Sequence, residues 1–285
     1  MNYRLLDSGG GRKLEEVAGQ RLDRQAPAAV WRPSLPRKEW ERANGVHIRS
    51  ERGGGHWNWK GPAPKSWTVD YGGLNLELKA TPFGHLGLFA EQAAQWAFLR
   101  SAVEAFQKEQ ARAPKLLNLF AYTGGSTLAA AQAGAAVTHV DAAKGVVDWA
   151  RRNADLNGLA DRPVRWIVED VIRFAQRAKR REDHYDGVIL DPPSFGRGSG
   201  GELWKIEERL AELLDLCSGL VKNRPAIVLL SAHSPGYGAL SLENLLHDHF
   251  DLEGKILSSG EMTVPEASGR PLPSGSYARY GSGLS

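Results

Sequence analysis

The segment Val188-Ile189-Leu190-Asp191-Pro192-Pro193-Ser194-Phe195 runs from apolar residues into an acid and two consecutive prolines. Two prolines fix φ twice and remove two backbone donors, which leaves carbonyl oxygens to accept from an amine or a base edge. Few purely structural turns require that. Upstream, Asn118-Leu119-Phe120-Ala121-Tyr122-Thr123-Gly124-Gly125 ends another apolar run in two glycines that open a helix, where a ligand could approach the backbone closely. The pattern is not G-x-G-x-x-G and lacks the Lys-Ser/Thr of a phosphate-binding loop, so neither a nicotinamide dinucleotide nor a nucleoside triphosphate is favoured. A Gly-Gly turn alone is also a common structural device. Asp141 closes a third run, seventeen positions after Gly124. An acid at such a place commonly accepts hydrogen bonds from a ribose diol, although it could equally cap the helix beginning near Ala143. Glu169-Asp170-Val171 ends a fourth run, where a carboxylate could accept from an adenine amino group or cap a helix.

These run ends act together only if one scaffold gathers them. From residue 115 onward apolar runs (115–120, 136–140, 164–168, 187–190 and 226–230) alternate with helical patterns at 126–133, 144–156, 171–179, 202–221 and 240–247. Such alternation predicts an α/β domain with a parallel sheet covered by helices on both faces, whose ligands bind outside the carboxyl ends of the strands. Residues 254–264 and 276–281 both read as extended with no helix between them, so a hairpin should bring an antiparallel strand into the sheet. A further helix is expected over 86–107. Residues 1–82 differ in texture, being rich in Gly, Pro, Trp and Arg with turn clusters at 9–11, 53–55 and 61–64, and predict a small β-rich domain ahead of a larger one over 83–285.

Composition narrows the class. Among 285 residues 42% are apolar and 24% charged, which is ordinary for a globular protein, and a net charge of +3 permits a nucleic-acid partner without demanding one. The single cysteine, Cys217, excludes an internal disulfide framework and a multi-cysteine zinc site, and suits a reducing compartment. The first residues carry no apolar signal region and no run approaches the ~18 apolar residues of a membrane helix. A cytoplasmic protein with no membrane segment and no metal is the expectation.

FAYTGG at 120–125, VDAAKGVVDWARRNADLNGL at 140–159, the Glu169-Asp170 pair and DPPSFGRG at 191–198 together resemble the class I S-adenosylmethionine-dependent methyltransferases. They look most like the large-subunit ribosomal RNA methyltransferase group that includes cytosine-C5 and guanine-N7 enzymes. The resemblance runs from TPFGHLGLFAEQ at 81–92 to the closing hairpin. It implies a Rossmann-like, seven-stranded sheet with an antiparallel last strand, S-adenosylmethionine as cofactor, and RNA, ribosomal by preference, as partner. By the same resemblance Phe120, Tyr122, Thr123, Gly124 and Gly125 would hold the methionine portion, and Asp141 the ribose hydroxyls with Ala142 beside it. Asp170 and Val171 would frame the adenine. Asp191, with Pro192 and Pro193, would face both the methyl group and the target base, and Gln92 would also reach the cofactor.

Some features depart from that family. Many relatives begin with a small RNA-binding PUA domain, and 82 residues are too few for it plus the β domain. Cytosine C5 is a poor nucleophile until a thiolate adds to C6. Yet Cys217 recurs with Leu210, Leu213, Leu214, Leu220 and Val221 at helical spacing, the mark of a buried face, and the position after the fifth strand reads Ser231-Ala232-His233-Ser234. Nitrogen methylation needs no covalent adduct, so a base nitrogen is the expected target. Phe195, shifted one place from the prolines by Ser194, could stack on an extruded base. Trp57, Trp59, Lys60, Lys65 and Trp67 would suit single-stranded nucleic acid, but tryptophans in a small β domain more often form its core. Residues 173–181 carry five Lys or Arg on what reads as a solvated helix face. Two other readings stand beside methyl transfer: a nucleotide-dependent oxidoreductase, disfavoured by the missing G-x-G-x-x-G, and a non-catalytic RNA-binding protein, disfavoured by the intact DPP loop.

Overall fold

Short apolar runs separated by glycine turns give the N-terminal part of the chain two small sheets in the computed structural model, which describes residues 2–50, 53–198, 201–221, 225–252 and 257–281. The first comprises β1 (Tyr3–Gly9), β2 (Arg12–Val17), β3 (Gln20–Gln25), β4 (Gly45–Arg49) and β5 (Gly55–Trp59) in that order, with α1 (Arg37–Trp40) between β3 and β4. Only the β3–β4 pair is parallel. β6 (Trp67–Tyr71) and β7 (Leu74–Leu78) form a separate antiparallel hairpin. Leu5, Leu14, Leu22, Leu74, Leu76 and Leu78 are fully buried, and the charges buried with them are paired. Glu15 accepts from Arg24 Nε at 2.7 Å and from Tyr3 Oη at 2.7 Å. Burial works against its carboxylate, but the charges of Arg24 and Lys13 prevail and hold its pKa down at about 2. Trp57 and Trp59 are half-buried and stacked on each other with centroids 5.4 Å apart, and the Trp57 indole donates to Thr81 O at 2.8 Å.

Residues up to Ala93 together with Met262–Ser274 form one compact unit, and Ala94–Glu261, continued from Gly275, forms the other. The sequence places its division after residue 82. A single 3-10 turn, Ala90–Gln92, precedes α2 (Ala93–Gln110), so the helix begins later than the pattern over 86–107 predicts. Gly87 at φ 92° is one reason, since that conformation interrupts a right-handed helix.

In the larger unit follow β8 (Lys115–Leu119), α3 (Gly125–Gln132), β9 (Ala136–Asp141), α4 (Lys144–Leu156), β10 (Val164–Val168), α5 (Val171–Arg180) and β11 (Gly187–Leu190). Then come β12 (Phe195–Arg197), β13 (Leu203–Lys205), α6 (Ile206–Ser218), β14 (Ile227–Ala232), α7 (Ala239–His249), β15 (Ser258–Pro265) and β16 (Pro271–Gly281). The seven-stranded sheet runs β10-β9-β8-β11-β14-β16-β15. Pairs from β10 to β14 are parallel, and β16 enters antiparallel to β14. The expected extended segment begins partly outside the described residues, at 254–256.

Alternation along the strands explains why both faces are covered. Leu116, Ile189, Ile227 and Leu229 pack with Leu99, Val103 and Ala130 of α2 and α3. Their neighbours Leu117, Leu119, Val188, Leu190, Val228 and Leu230 pack with Phe174, Leu210, Leu213 and Leu242 of α5, α6 and α7. Cys217 lies fully buried in that second cluster, as its helical spacing predicts. The long helix expected over 202–221 is shorter: Leu203–Lys205 pairs instead with Phe195–Arg197, and the helix starts only at Ile206, whose N–H donates to Ser194 O at 3.1 Å. No helix among the described residues is long and apolar enough to cross a membrane.

One polar group sits inside this packing. His139 is fully buried on β9, with Asn118 and Trp166 as its register partners on β8 and β10. Thr127 Oγ1 lies 2.9 Å from its Nδ1 and accepts from Asn118 Nδ2 at 2.8 Å, while Nε2 has no hydrogen-bond partner among the described residues. Burial, helped by the charge of Arg151, pushes the imidazole pKa down from 6.5 to about 3. The unfolded chain therefore binds a proton below pH 6.5 that the folded chain refuses, so stability must fall as pH drops from 6.5 toward 3. Replacing His139 by Gln keeps an acceptor for the Thr127 hydroxyl and removes the titration. Urea unfolding at pH 6, 5 and 4 should show the natural protein losing ~1.4 kcal/mol per pH unit more than His139→Gln. Parallel pH dependences would mean that His139 takes up its proton in the fold.

Candidate active site at the strand ends

The carboxyl ends of β8, β9, β10, β11 and β14 belong to one sheet, and each carries polar residues. After β8 the chain makes a tight turn in which Phe120 (φ 55°), Tyr122 (φ 49°) and Gly124 (φ 92°) are left-handed. Asp141 holds that turn: its Oδ2 accepts from Tyr122 N and its Oδ1 from Ala143 N, both at 3.0 Å. Burial pushes the Asp141 carboxyl above the ordinary value, and the two amides draw it back. Asn153 of α4 adds a bond from its Nδ2 to Thr123 O at 2.9 Å. Ala142 is partly buried beside Asp141.

The two glycines also serve the packing of the neighbouring helices. A Cβ on Gly125 would lie 2.5 Å from the Trp96 ring, and one on Gly124 would lie 3.1 Å from Ala150 Cβ. The absent side chains make room for α2 and α4.

Asp170 is the N-cap of α5, with Oδ1 accepting from Ile172 N at 3.1 Å and Arg173 N at 3.0 Å. Both bonds fall on Oδ1. Val171, the first helical residue, is buried. Next to them lies an open cavity of about 520 Å³ lined in part by Trp166, Ile167, Asp170 and Glu202. Its rim is held by ion pairs, Arg173 with Glu202 at 2.6 Å and Arg177 with Glu169, so two cations of the basic run are already matched.

Asp191 follows β11, and its Oδ1 accepts from Ser231 Oγ at 2.7 Å with His233 Nε2 at 3.5 Å. Ser194 Oγ and Ser234 Oγ are 2.6 Å apart. The end of β14 thus holds the Asp191-Pro192-Pro193-Ser194 loop from one side. Trp204 holds it from the other, donating its indole N–H to Pro193 O at 2.7 Å while its ring meets Phe120 edge-on at 4.6 Å. The Pro193 oxygen thus already accepts one bond and keeps a second lone pair, while Pro192 is buried. Phe195 is 54% exposed.

The structure therefore brings Phe120, Tyr122, Thr123, Gly124, Gly125, Asp141, Ala142, Asp170, Val171, Asp191, Pro192, Pro193 and Phe195 to one end of one sheet. Gln92 is buried and belongs to the other compact unit. Cys217 is not among the residues at that end; burial on α6 pushes its thiol up to about 12. By sequence Ser231, His233 and Ser234 stand out only for the lack of a thiol after the fifth strand, and Trp204 not at all. The first three could have been found from strand order, since β14 lies next to β11, whereas nothing in the spacing marks Trp204.

Known proteins share this fold. A solved S-adenosylmethionine-dependent methyltransferase from Agrobacterium tumefaciens superposes with a TM-score of 0.90 and is 36% identical, covering 99% of this chain and 90% of that one. A Methanocaldococcus jannaschii tRNA m1G37 methyltransferase shares the fold at a TM-score of 0.58 with 11% identity, over 91% of this chain and 69% of its own. Ribosomal RNA large subunit methyltransferase K/L of Pseudomonas paraeruginosa is 37% identical over 152 residues, which is 52% of this chain and 19% of that protein. The chain spans about a fifth of the length of such curated relatives. Residues 39–229, which include the carboxyl ends of β8, β9, β10 and β11 and stop short of that of β14, match the family model for S-adenosylmethionine-dependent methyltransferases, and with the near-complete likeness to the Agrobacterium enzyme this makes the chain a member of that family.

Proposed function

We propose that this enzyme transfers the methyl group of S-adenosylmethionine to a nitrogen of a nucleic-acid base, in large-subunit ribosomal RNA. The observation that carries the choice of nitrogen is Cys217, the only cysteine in the chain, buried with its thiol pushed up to about 12. Methylation at pyrimidine C5 needs a thiolate at the acceptor, and Ser231-Ala232-His233-Ser234 supplies none beside Asp191. The choice of RNA is supported by the names of the curated relatives.

The residues at the strand ends fit the cofactor. A carboxylate offers about four lone-pair sites, and the two backbone amides on Asp141 use two of them, leaving acceptors for a ribose diol. Asp170 keeps Oδ2 outside its capping bonds, where it suits an adenine amine, with Val171 beside it and Ala142 near the ribose. The turn from Phe120 through Tyr122, Thr123 and Gly124 to Gly125 would take the methionine portion, and Gln92 remains a candidate contact. The sulfonium makes the methyl carbon electrophilic, so the protein has only to align a nitrogen lone pair with the carbon–sulfur bond. Asp191, fixed by Ser231, and the adjoining Pro192-Pro193 backbone would orient the base through its N–H groups, while Phe195 stacks on it.

Asp141→Ala should weaken binding of the demethylated cofactor by roughly 1 to 3 kcal/mol, measured by calorimetry, through loss of hydrogen bonds to a charged acceptor. Natural affinity in that variant would reduce Asp141 to a turn-holding role. Asp191→Ala should lower kcat for unmodified ribosomal RNA by ~10²-fold or more while cofactor affinity stays within several fold. Transfer at the natural rate would move the acceptor site away from this loop. Cys217→Ser should keep its methyl transfer and melt earlier, because the hydroxyl enters an apolar cluster without a partner. Loss of transfer at an unchanged Tm would restore the covalent C5 route. Mass spectrometry of nucleosides from a deletion strain should then reveal one missing N-methylated base in large-subunit ribosomal RNA, and a missing C5-methylpyrimidine would overturn the nitrogen reading.

A further inference from the structure

β12 and β13 form a two-stranded ribbon directly after Asp191-Pro192-Pro193-Ser194, and its two faces differ in character. Phe195 pairs with Lys205, Gly196 with Trp204 and Arg197 with Leu203. Side chains alternate along a strand, so Gly196 and Trp204 share one face while Phe195, Arg197, Leu203 and Lys205 share the other. The inner face is anchored: Trp204 is buried, bonded to Pro193 O and packed on Phe120. On the outer face Phe195 is 54% exposed and Leu203 40% exposed. A pair of three-residue strands has little stability of its own, and exposing two large apolar side chains adds none. The guanidinium of Arg197 lies 5.9 Å from the centre of the Phe195 ring and forms no ion pair among the described residues. Lys205 gives one bond to Glu208, at 2.6 Å, and an ammonium has three protons to donate.

We infer that this outer face docks the unpaired RNA strand flanking the acceptor base, with Leu203 against a base next to the one stacked on Phe195, and Arg197 and Lys205 against phosphates. The inference rests on the proposed transfer to an RNA base. Charge and chemistry select the occupant. A single strand offers flat apolar bases and regularly spaced negative charge, matching a face on which aromatic, aliphatic and cationic groups are interleaved. A second copy docked on the same patch through a two-fold axis would instead oppose like charges. The ribbon is also held in register with the acceptor loop, since Trp204 fixes Pro193 and the Ile206 N–H fixes Ser194 O. A strand lying on it would therefore enter the acceptor loop at a set position.

The test uses the full chain, unmodified large-subunit ribosomal RNA made by transcription, and the variants Arg197→Ala and Leu203→Ser. RNA affinity is measured across a salt series, with calorimetry for the demethylated cofactor, Tm, and sedimentation as companions. Each variant should bind RNA ~5- to 100-fold more weakly than the natural chain, with cofactor affinity and Tm unchanged. Arg197→Ala should also flatten the slope of log affinity against log salt by ~0.7, whereas Leu203→Ser should leave the slope alone. Natural RNA affinity in both variants, with RNA still methylated by the unaltered chain, would overturn the docking face and leave the function standing. Failure of the unaltered chain to methylate any RNA would remove both. A change in sedimentation of either variant would assign the face to a second copy of the chain and overturn the RNA inference.

Discussion

The backbone turn after β8 is the constraint on which the rest of the site depends. Phe120 and Tyr122 are both held left-handed without being glycine, a conformation costing roughly 1 to 3 kcal/mol per residue. Such strain persists only where the surroundings over-determine it. Here the partners come from several elements: Asp141 of β9 takes the Tyr122 N–H, Asn153 of α4 takes the Thr123 carbonyl, and Trp96 of α2 closes on Gly125. Within the turn Gly124 N donates to Ala121 O at 3.0 Å. The parallel pairing of β8 with β9 makes this economical, because it brings Asp141 one step beyond the strand end that Tyr122 leaves. Removing any one of these supports would release the strain into the part of the crevice assigned to the cofactor.

Trp204 extends that rigidity to the acceptor side. Its ring packs on Phe120, a member of the strained turn, and its indole bonds to Pro193 in the loop after β11. One side chain thereby ties together the segments that follow two strands, β8 and β11, paired in the sheet. A shift in Trp204 would be felt by both. For a transfer in which a misplacement of ~1 Å can cost ~10²-fold in rate, a shared brace of this kind has more influence than its single hydrogen bond suggests.

What could be read from the sequence follows from the range of the interactions involved. Strand and helix periods are local, so the alternation from residue 115 and the buried face containing Cys217 were both legible, and the family match removes the oxidoreductase alternative. The β12–β13 ribbon was not legible, because Glu202 to Lys205 continue a helical pattern and only pairing with Phe195–Arg197 decides otherwise. The packing role of Gly124 and Gly125 was not legible for a related reason: the atoms that exclude a Cβ belong to Ala150 and Trp96, on other helices. Asp170 could be read as a cap from its place before α5, and it is one. That Asp141 holds the turn through Tyr122 depended on which strands are neighbours, information that spacing does not contain.

The two sides of the crevice are built from different materials, and this bears on the chemistry. On the side assigned to the cofactor, backbone groups and one carboxylate are locked by the packing of α2, α3 and α4, so substitutions there strike the fold as well as the ligand. On the acceptor side the groups are side chains: Ser231, His233, Ser194, Ser234 and Phe195 around Asp191. None of these is a strong carbon nucleophile at neutral pH. The one thiol in the chain is pushed up to about 12 by burial, which disfavours the thiolate, and is enclosed by leucines. A site so equipped contributes orientation and proton acceptors, not a covalent handle. Under the proposed function the acceptor itself must be nucleophilic without covalent activation, a condition that a base nitrogen with a free lone pair meets and an unactivated C5 does not.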